Sequence, residues 1–464
     1  MPDVGDELQS GRFVTEELPR CERHGARTRL TCADCGAPIC PKCSVRTDVG
    51  LKCERDAAPL APVPAPAPAA RSRRGFGIAV LAAIVGLAAL AGAVVVFRGA
   101  AEREPPADVA GTWLGLPALT SIRGTTTAVA LADGRVVVAG GGVGSVPVAA
   151  TEIFDPASGT WSQAGDLAQA RRGHRAVLLR DGRILAVGGL GLDGLLASAE
   201  LFDLGNGAWS PVADAGVPRL GHTATVLPDG TVLVSGGTAA QSSGEAAGRQ
   251  SVQPIASAEV FDPATGAWSQ AAGMLAPRFE ATATLLPDGR VLIAGGLGSR
   301  GVEASAELYD PATRTFSRTG SMATGRANHA AAALDDGRIL VTSGASEQAA
   351  LRSAELYDPT RGSWTEVADL NQAREGHTAT PLRDGTVLIA AGEQFTQGAR
   401  RSLTSAERYD PAANTWQSAG TMSCPRSEQA AALLPDGGVL IVAGDAAFPG
   451  DPPIAQSCAE RYQP

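Results

Sequence analysis

An Asp-Gly pair recurs in register at Asp133, Asp181, Asp229, Asp288, Asp336, Asp384 and Asp436, at intervals of 48, 48, 59, 48, 48 and 52 residues. A Glu-x-aromatic step follows each one, beginning at Glu152, Glu200, Glu259, Glu307, Glu355, Glu407 and Glu460. An aromatic residue then closes the unit, as at Trp161, Trp209 and Trp268. A period near 50 residues restricts the chain to a repeat architecture. Within one unit, Thr282–Leu286 is a β-prone run, Asp288-Gly289 is a turn and Arg290–Ala294 is a second run ended by Gly295-Gly296. Ala306–Tyr309 and Thr315–Ser317 complete four short strands with no helical period among them, which is one propeller blade. The Asp-Gly pair predicts a two-residue hairpin, whose two central residues both need positive φ.

The ends of the array decide its closure. The last unit stops at Pro464 and lacks a fourth strand, whereas Gly111–Leu114 before the first unit is a fourth strand without its other three. Pairing the segment around Trp113 onto the C-terminal blade closes a ring of seven and removes the exposed edges of an open array. The fold class read from this is all-β: a closed seven-bladed propeller over 108–464, joined to a small zinc-binding domain and one transmembrane helix.

The spacing of Asp-Gly, Gly-Gly, Glu-x-Tyr-Asp and Trp resembles the kelch repeat, in the superfamily shared with galactose oxidase-like propellers. The double Gly of that pattern becomes Ser343-Gly344, Ala391-Gly392 and Ala443-Gly444 in the last three blades. Galactose oxidase-like enzymes use copper with tyrosine and histidine ligands, one tyrosine cross-linked to cysteine. Here Tyr309, Tyr357, Tyr409 and Tyr462 all fill one repeat slot, held by Phe154, Phe202 and Phe261 elsewhere, so they read as packing residues. Resemblance in fold does not carry the enzyme with it.

Ahead of the propeller lies Cys21-x2-His24-x7-Cys32-x2-Cys35-x4-Cys40-x2-Cys43-x9-Cys53-x2-Asp56. Ligands two residues apart can share one tetrahedral ion, and thiolate with imidazole suits zinc. So short a segment has little core, so metal binding supplies its folding energy. The spacing resembles a B-box-type zinc finger through Cys43. In that family the pairs interleave, which assigns Cys21, His24, Cys40 and Cys43 to one ion and Cys32, Cys35, Cys53 and Asp56 to a second. The family usually ends in His pairs at shorter spacing, so one zinc ion or two remain open. Such modules are non-catalytic and bind proteins.

Residues 1–20 carry no periodicity, and 57–74 is an Ala/Pro-rich spacer ending in Arg71, Arg73 and Arg74. Residues 75–97 run without a charge for long enough to span a bilayer, and they begin too far from Met1 for a cleaved signal. Three arginines precede the span; Arg98 and Arg103 follow it, the latter between Glu102 and Glu104, in the linker 98–107. Positive residues stay inside, which predicts a cytoplasmic N-terminus and an extracytoplasmic propeller in a single-pass cell-membrane protein. Cysteine usage agrees: six lie between 21 and 53, where thiolates suit a reducing compartment. Two more, Cys424 and Cys458, flank the last blade as a candidate disulfide that suits an oxidising one. A net charge of −9 argues against a nucleic-acid partner.

An arginine stands ten residues before every in-register Asp: Arg123, Arg171, Arg219, Arg278, Arg326, Arg374 and Arg426. Strand direction places them at the same end as the seven glutamates. They form either a ring that attracts an anion or a repeated scaffold ion pair, and seven acids for seven bases favour the scaffold. His174, His222, His329 and His377 share one slot, where Thr126, Ala281 and Gln429 stand in the other blades, and read as packing and hydrogen-bonding residues. A specific site belongs where the repeat varies: the loops 238–256, 393–404 and 445–457. No nucleophile–base pair or phosphate loop is present. The expected function is therefore a membrane-anchored, non-catalytic scaffold. Its zinc module binds a cytoplasmic protein, and its propeller binds a protein or glycan. The alternative is a galactose oxidase-like or glycan-active enzyme.

Overall fold

The computed structural model describes residues 111–240, 252–396, 399–448 and 453–464, together with the backbone of 44–47 and 50–53. Two compact units divide at Phe97. In the first, Ser44–Thr47 and Gly50–Cys53 form an antiparallel hairpin. Cys53 ends that hairpin; the other proposed zinc ligands, Cys21, His24, Cys32, Cys35, Cys40, Cys43 and Asp56, lie outside the described residues, as does the 75–97 span. Among the described residues, no helix is long and apolar enough to cross a membrane.

The second unit is a seven-bladed, all-β propeller. Blade 4 is typical, with strands Thr282–Leu285, Val291–Ala294, Ala306–Asp310 and Thr315–Arg318 paired in sequence order. The second strand of every blade is buried at all four positions, because both of its faces meet protein. Leu292, Ala294 and Leu308 of blade 4 pack against Ile339, Val341 and Tyr357 of blade 5. That contact explains why these strands read as continuous apolar runs rather than alternating ones. Each closing aromatic packs on the aromatic of the third strand, with ring centroids 4.8–5.2 Å apart. Trp364 also donates its indole N–H to Gly320 O of blade 4, and Trp416 donates to Ala368 O of blade 5, so these rings stitch neighbouring blades.

Closure occurs through the N-terminal strand. Thr112–Leu116 pairs antiparallel with Ala459–Gln463, Trp113 opposite Tyr462, and completes blade 7. Trp113 donates to Ala419 O of blade 6, following the rule of the other tryptophans.

The Asp-Gly hairpins differ from the two-residue form expected. At the first, Gly134 N–H donates to Leu131 O and Leu131 N–H to Arg135 O. Only Gly134 has positive φ, at 91°, whereas Asp133 does not. That pattern is a type I turn followed by a left-handed glycine bulge. The Asp side chain accounts for the choice: Asp133 Oδ1 accepts the Arg135 N–H at 3.0 Å, a contact that stabilises the longer loop. Where the repeat loses its first glycine, Ser343, Ala391 and Ala443 keep the left-handed backbone at φ 53°, 60° and 60°. The neighbouring sheet over-determines that conformation, at a cost of about 1 kcal/mol each.

Candidate ligand-binding site

The seven arginines are fully buried, which places them inside the blades rather than as a ring facing a channel. In blade 5, Arg326 Nη1 donates to Ser343 O at 2.8 Å and Ser353 O at 2.9 Å, and Nη2 reaches Glu355 Oε1 at 2.9 Å. Glu355 in turn accepts the backbone N–H groups of Ala323 and Thr324. The same pairs form at Arg123–Glu152, Arg171–Glu200, Arg219–Glu259, Arg278–Glu307, Arg374–Glu407 and Arg426–Glu460, at 2.5–2.9 Å. Each joins residues of a single blade. Burial lowers the Arg326 pKa, and the Glu355 carboxylate opposes that shift. In blade 7 the motif is tied to a disulfide: Cys424 and Cys458 are bonded at 2.08 Å, and both their carbonyls accept from Arg426.

Two residues after each arginine comes a position with positive φ: Thr125, Gly173, Gly221, Glu280, Asn328, Gly376 and Glu428. Their backbones bond from blade to blade, as in Asn328 N–H to Glu280 O and Gly376 N–H to Asn328 O, and encircle the propeller axis. Glycine is required where neighbours crowd in: a Cβ on Gly221 would lie 2.1 Å from the Phe279 ring. Elsewhere the ring accepts a Glu or Asn despite the left-handed backbone, so polar side chains project towards the axis. Asn328 Nδ2 donates to Glu428 Oε1 at 2.7 Å across it.

This ring lines a cavity of about 890 Å3. Its wall carries the carboxylates of Glu280, Glu375, Glu393, Glu428 and Asp445 against the guanidiniums of Arg172, Arg175 and Arg400. Arg400 pairs with Glu393 at 3.0 Å and covers the Phe395 ring at 5.1 Å, while Arg172 donates to Gly144 O. Arg175 Nε donates to His222 O at 2.8 Å. Its side chain is open to the cavity yet enclosed by protein walls, and that enclosure lowers its pKa against the pull of Glu428 and Glu280. The carboxylates shift the other way. Desolvation, then repulsion from Glu428 and Glu375, pushes Glu280 up to about 7. Desolvation, then Glu393, does the same for Glu375. Burial also raises Glu393 and Asp445.

The loops 393–404 and 445–457 reach this cavity through Glu393, Arg400, Asp445 and Pro453; loop 238–256 contributes no described residue to it. His174, His329 and His377 line it from between blades, their Nε2 atoms 2.8–3.1 Å from Thr127, Thr282 and Thr342 hydroxyls. Burial drives His174 and His329 down to about 3, so both stay neutral. Among the described residues, no three His, Cys, Asp or Glu side chains are grouped to hold a metal. The four tyrosines are inaccessible inside the sheets, and the two propeller cysteines are bonded to each other. Those residues do not fit the tyrosine, histidine and cysteine set of a galactose oxidase-like copper site.

Glu280, Glu375, Glu428 and Arg175 were not identified as site residues from the sequence. For Glu280 and Glu428 the signal lay two residues after the arginine, where glycine in three blades marks a left-handed position and Glu or Asn in others departs from it; Glu375 and Arg175 stand outside that slot.

The class defined by this geometry is a closed propeller with a charged axial cavity. Family models place a B-box zinc finger at residues 16–48 and a Kelch motif at residues 123–168. The B-box match contains Cys21 to Cys43 and ends before Cys53 and Asp56. No curated protein matches the chain. One similar solved structure is described as a novel fungal alcohol oxidase with catalytic diversity among the AA5 family, in complex with copper. It is 17% identical, covers 76% of each chain and has a TM-score of 0.59. At that identity the likeness is one of fold alone.

Proposed function

We propose that this chain is a membrane-anchored, non-catalytic binding protein whose propeller recognises a protein or glycan at the axial cavity. The observation that carries the reading is the contrast in charge satisfaction: the repeated Arg–Glu pairs are closed, whereas Glu280 and Glu375 beside the axis have no hydrogen-bonded or ion-paired partner. Cys21, His24, Cys40 and Cys43 would hold one zinc ion, and Cys32 and Cys35 with Cys53 and Asp56 a second. As thiolate and imidazole donors they suit that metal, which supplies folding energy to an interaction module for a cytoplasmic protein. The arginine asymmetry around 75–97 and the split between N-terminal thiols and a propeller disulfide support a cytoplasmic N-terminus and an extracytoplasmic propeller.

Elemental mass spectrometry of the full chain, alongside oxygen uptake with primary alcohols, tests this reading. One or two zinc ions per chain, lost when 21–56 is deleted, with no alcohol-dependent uptake is the expected result. Stoichiometric copper that survives the deletion and supports oxygen uptake would replace it with an oxidase. Protease added to intact cells should digest the propeller and spare the N-terminal module.

A further inference from the structure

Glu375 is an enclosed charge without a partner among the described residues. It is 7% exposed and lines the axial cavity, yet its carboxylate has neither a hydrogen bond nor an ion pair there. A carboxylate enclosed by protein with no partner but the cavity is less stable charged than in water, and an incoming cation offsets that. Around it the carboxylates outnumber the guanidiniums by five to three, and the three lining histidines are neutral. Arg400 is engaged with Glu393 and Arg172 with Gly144, and Arg175 faces Glu428 and Glu280 without a side-chain ion pair. The cavity carries more acid than its guanidiniums can neutralise.

The rim has a different chemistry. The hairpins that surround the cavity carry exposed apolar residues at or near their tips: Val143 and Val146 in blade 1, Leu192 in blade 2, Phe395 in blade 6 and Phe448 and Ile454 in blade 7. Scattered exposed apolar residues are ordinary, but these rise from loops that also line the cavity or adjoin its lining residues. All but Phe395 and Phe448 are aliphatic, and this predominance suits apolar side chains better than a sugar ring.

We propose that the axial cavity receives the guanidinium or ammonium of a basic residue in a partner protein segment, with apolar residues on either side of it seated on the hairpin rim. This proposal rests on the binding reading above and names its ligand class. The inserted cation would supply the charge that Glu375 and Glu280 lack, so the two acids lose protons as the complex forms. Affinity should therefore fall as pH drops through about 7, the value to which both acids are raised.

An array of acetylated, amidated dodecapeptides tests it, with Arg, Lys, Gln or Glu at the centre and Leu, Val or Ser at flanking positions, probed with the full chain. Arg- and Lys-centred peptides with apolar flanks should bind, and the best should bind about tenfold more weakly at pH 6 than at pH 8. Glu375→Gln and Glu280→Gln should each weaken binding at pH 8 and flatten its pH dependence. Tryptophan fluorescence confirms folding of each variant, since all 6 tryptophans lie in the propeller. Equal or stronger binding of Glu- or Gln-centred peptides would overturn the proposal, as would binding indifferent to both variants. If no peptide binds but a glycan array does, this proposal falls and the binding reading stands. Silence on both arrays would remove both.

Discussion

Glu355 and Glu375 are twenty residues apart, the first on the third strand of blade 5 and the second just before blade 6, and both are nearly inaccessible. Glu355 accepts a guanidinium N–H and two backbone N–H groups, all within 3.3 Å. Glu375 accepts none, faces Glu393 and Glu428, and is raised to about 7. The same side chain, buried to a similar degree, is a closed bracket in one place and an open valence in the other. Satisfaction, rather than burial, separates charges that hold this fold from charges available to a ligand.

Breaking the closed set should have the largest effect. Arg326→Ala strands Glu355 and two carbonyls in the protein interior, and should lower stability by about 3–5 kcal/mol. Urea unfolding followed by tryptophan fluorescence reads this directly. Next is the seventh copy of the bracket, which hangs on the disulfide. Cys424 and Cys458 close a loop across a sequence separation of 34, so reduction should cost about 3–4 kcal/mol, seen as an earlier urea midpoint in reductant.

The pH profile sharpens the comparison. His174 and His329 are lowered to about 3, and His222 and His377 well below their usual value, so their stabilisation is present above about 6.5 and is lost as pH falls. Glu280 and Glu375 are raised, so their effect is opposite: stability falls as pH rises from about 4.5 through about 7. Glu393 and Asp445, also raised, act in the same direction as these two acids. Stability should peak near pH 6.5, where the histidine contribution becomes constant, and Glu280→Gln with Glu375→Gln should reduce the fall on the alkaline side. Urea midpoints at pH 5, 6.5 and 8 check this. The smallest effect belongs to the exposed Asp-Gly turns: Asp288→Asn, which loses the Arg290 pair at 2.6 Å, should change stability by less than about 0.5 kcal/mol.

The order in which these features became legible follows their physics. Blade number, closing strand and Arg–Glu partners are repeated, and the glutamate count matches the arginine count, so periodicity alone exposes them. The Asp-Gly dipeptide suits both two-residue turns and the longer bulged turn; the bond from Arg135 to Asp133 that selects the second is local chemistry outside the dipeptide. The cavity was hidden more deeply. Glu280, Glu375 and Glu428 come from three blades and share no interval, and Glu375 stands one residue off the slot of the other two. Only ring closure brings them together.

The most direct test applies one substitution at the two places. Glu355→Gln and Glu375→Gln, unfolded in urea at pH 8, should move in opposite directions. The first should fall by about 3 kcal/mol with the loss of a buried pair, and the second should rise by about 1–2 kcal/mol with relief of an unpaired charge. A comparable loss of stability in both would mean that Glu375 is another closed bracket, and that the axial cavity holds no open charge for a ligand.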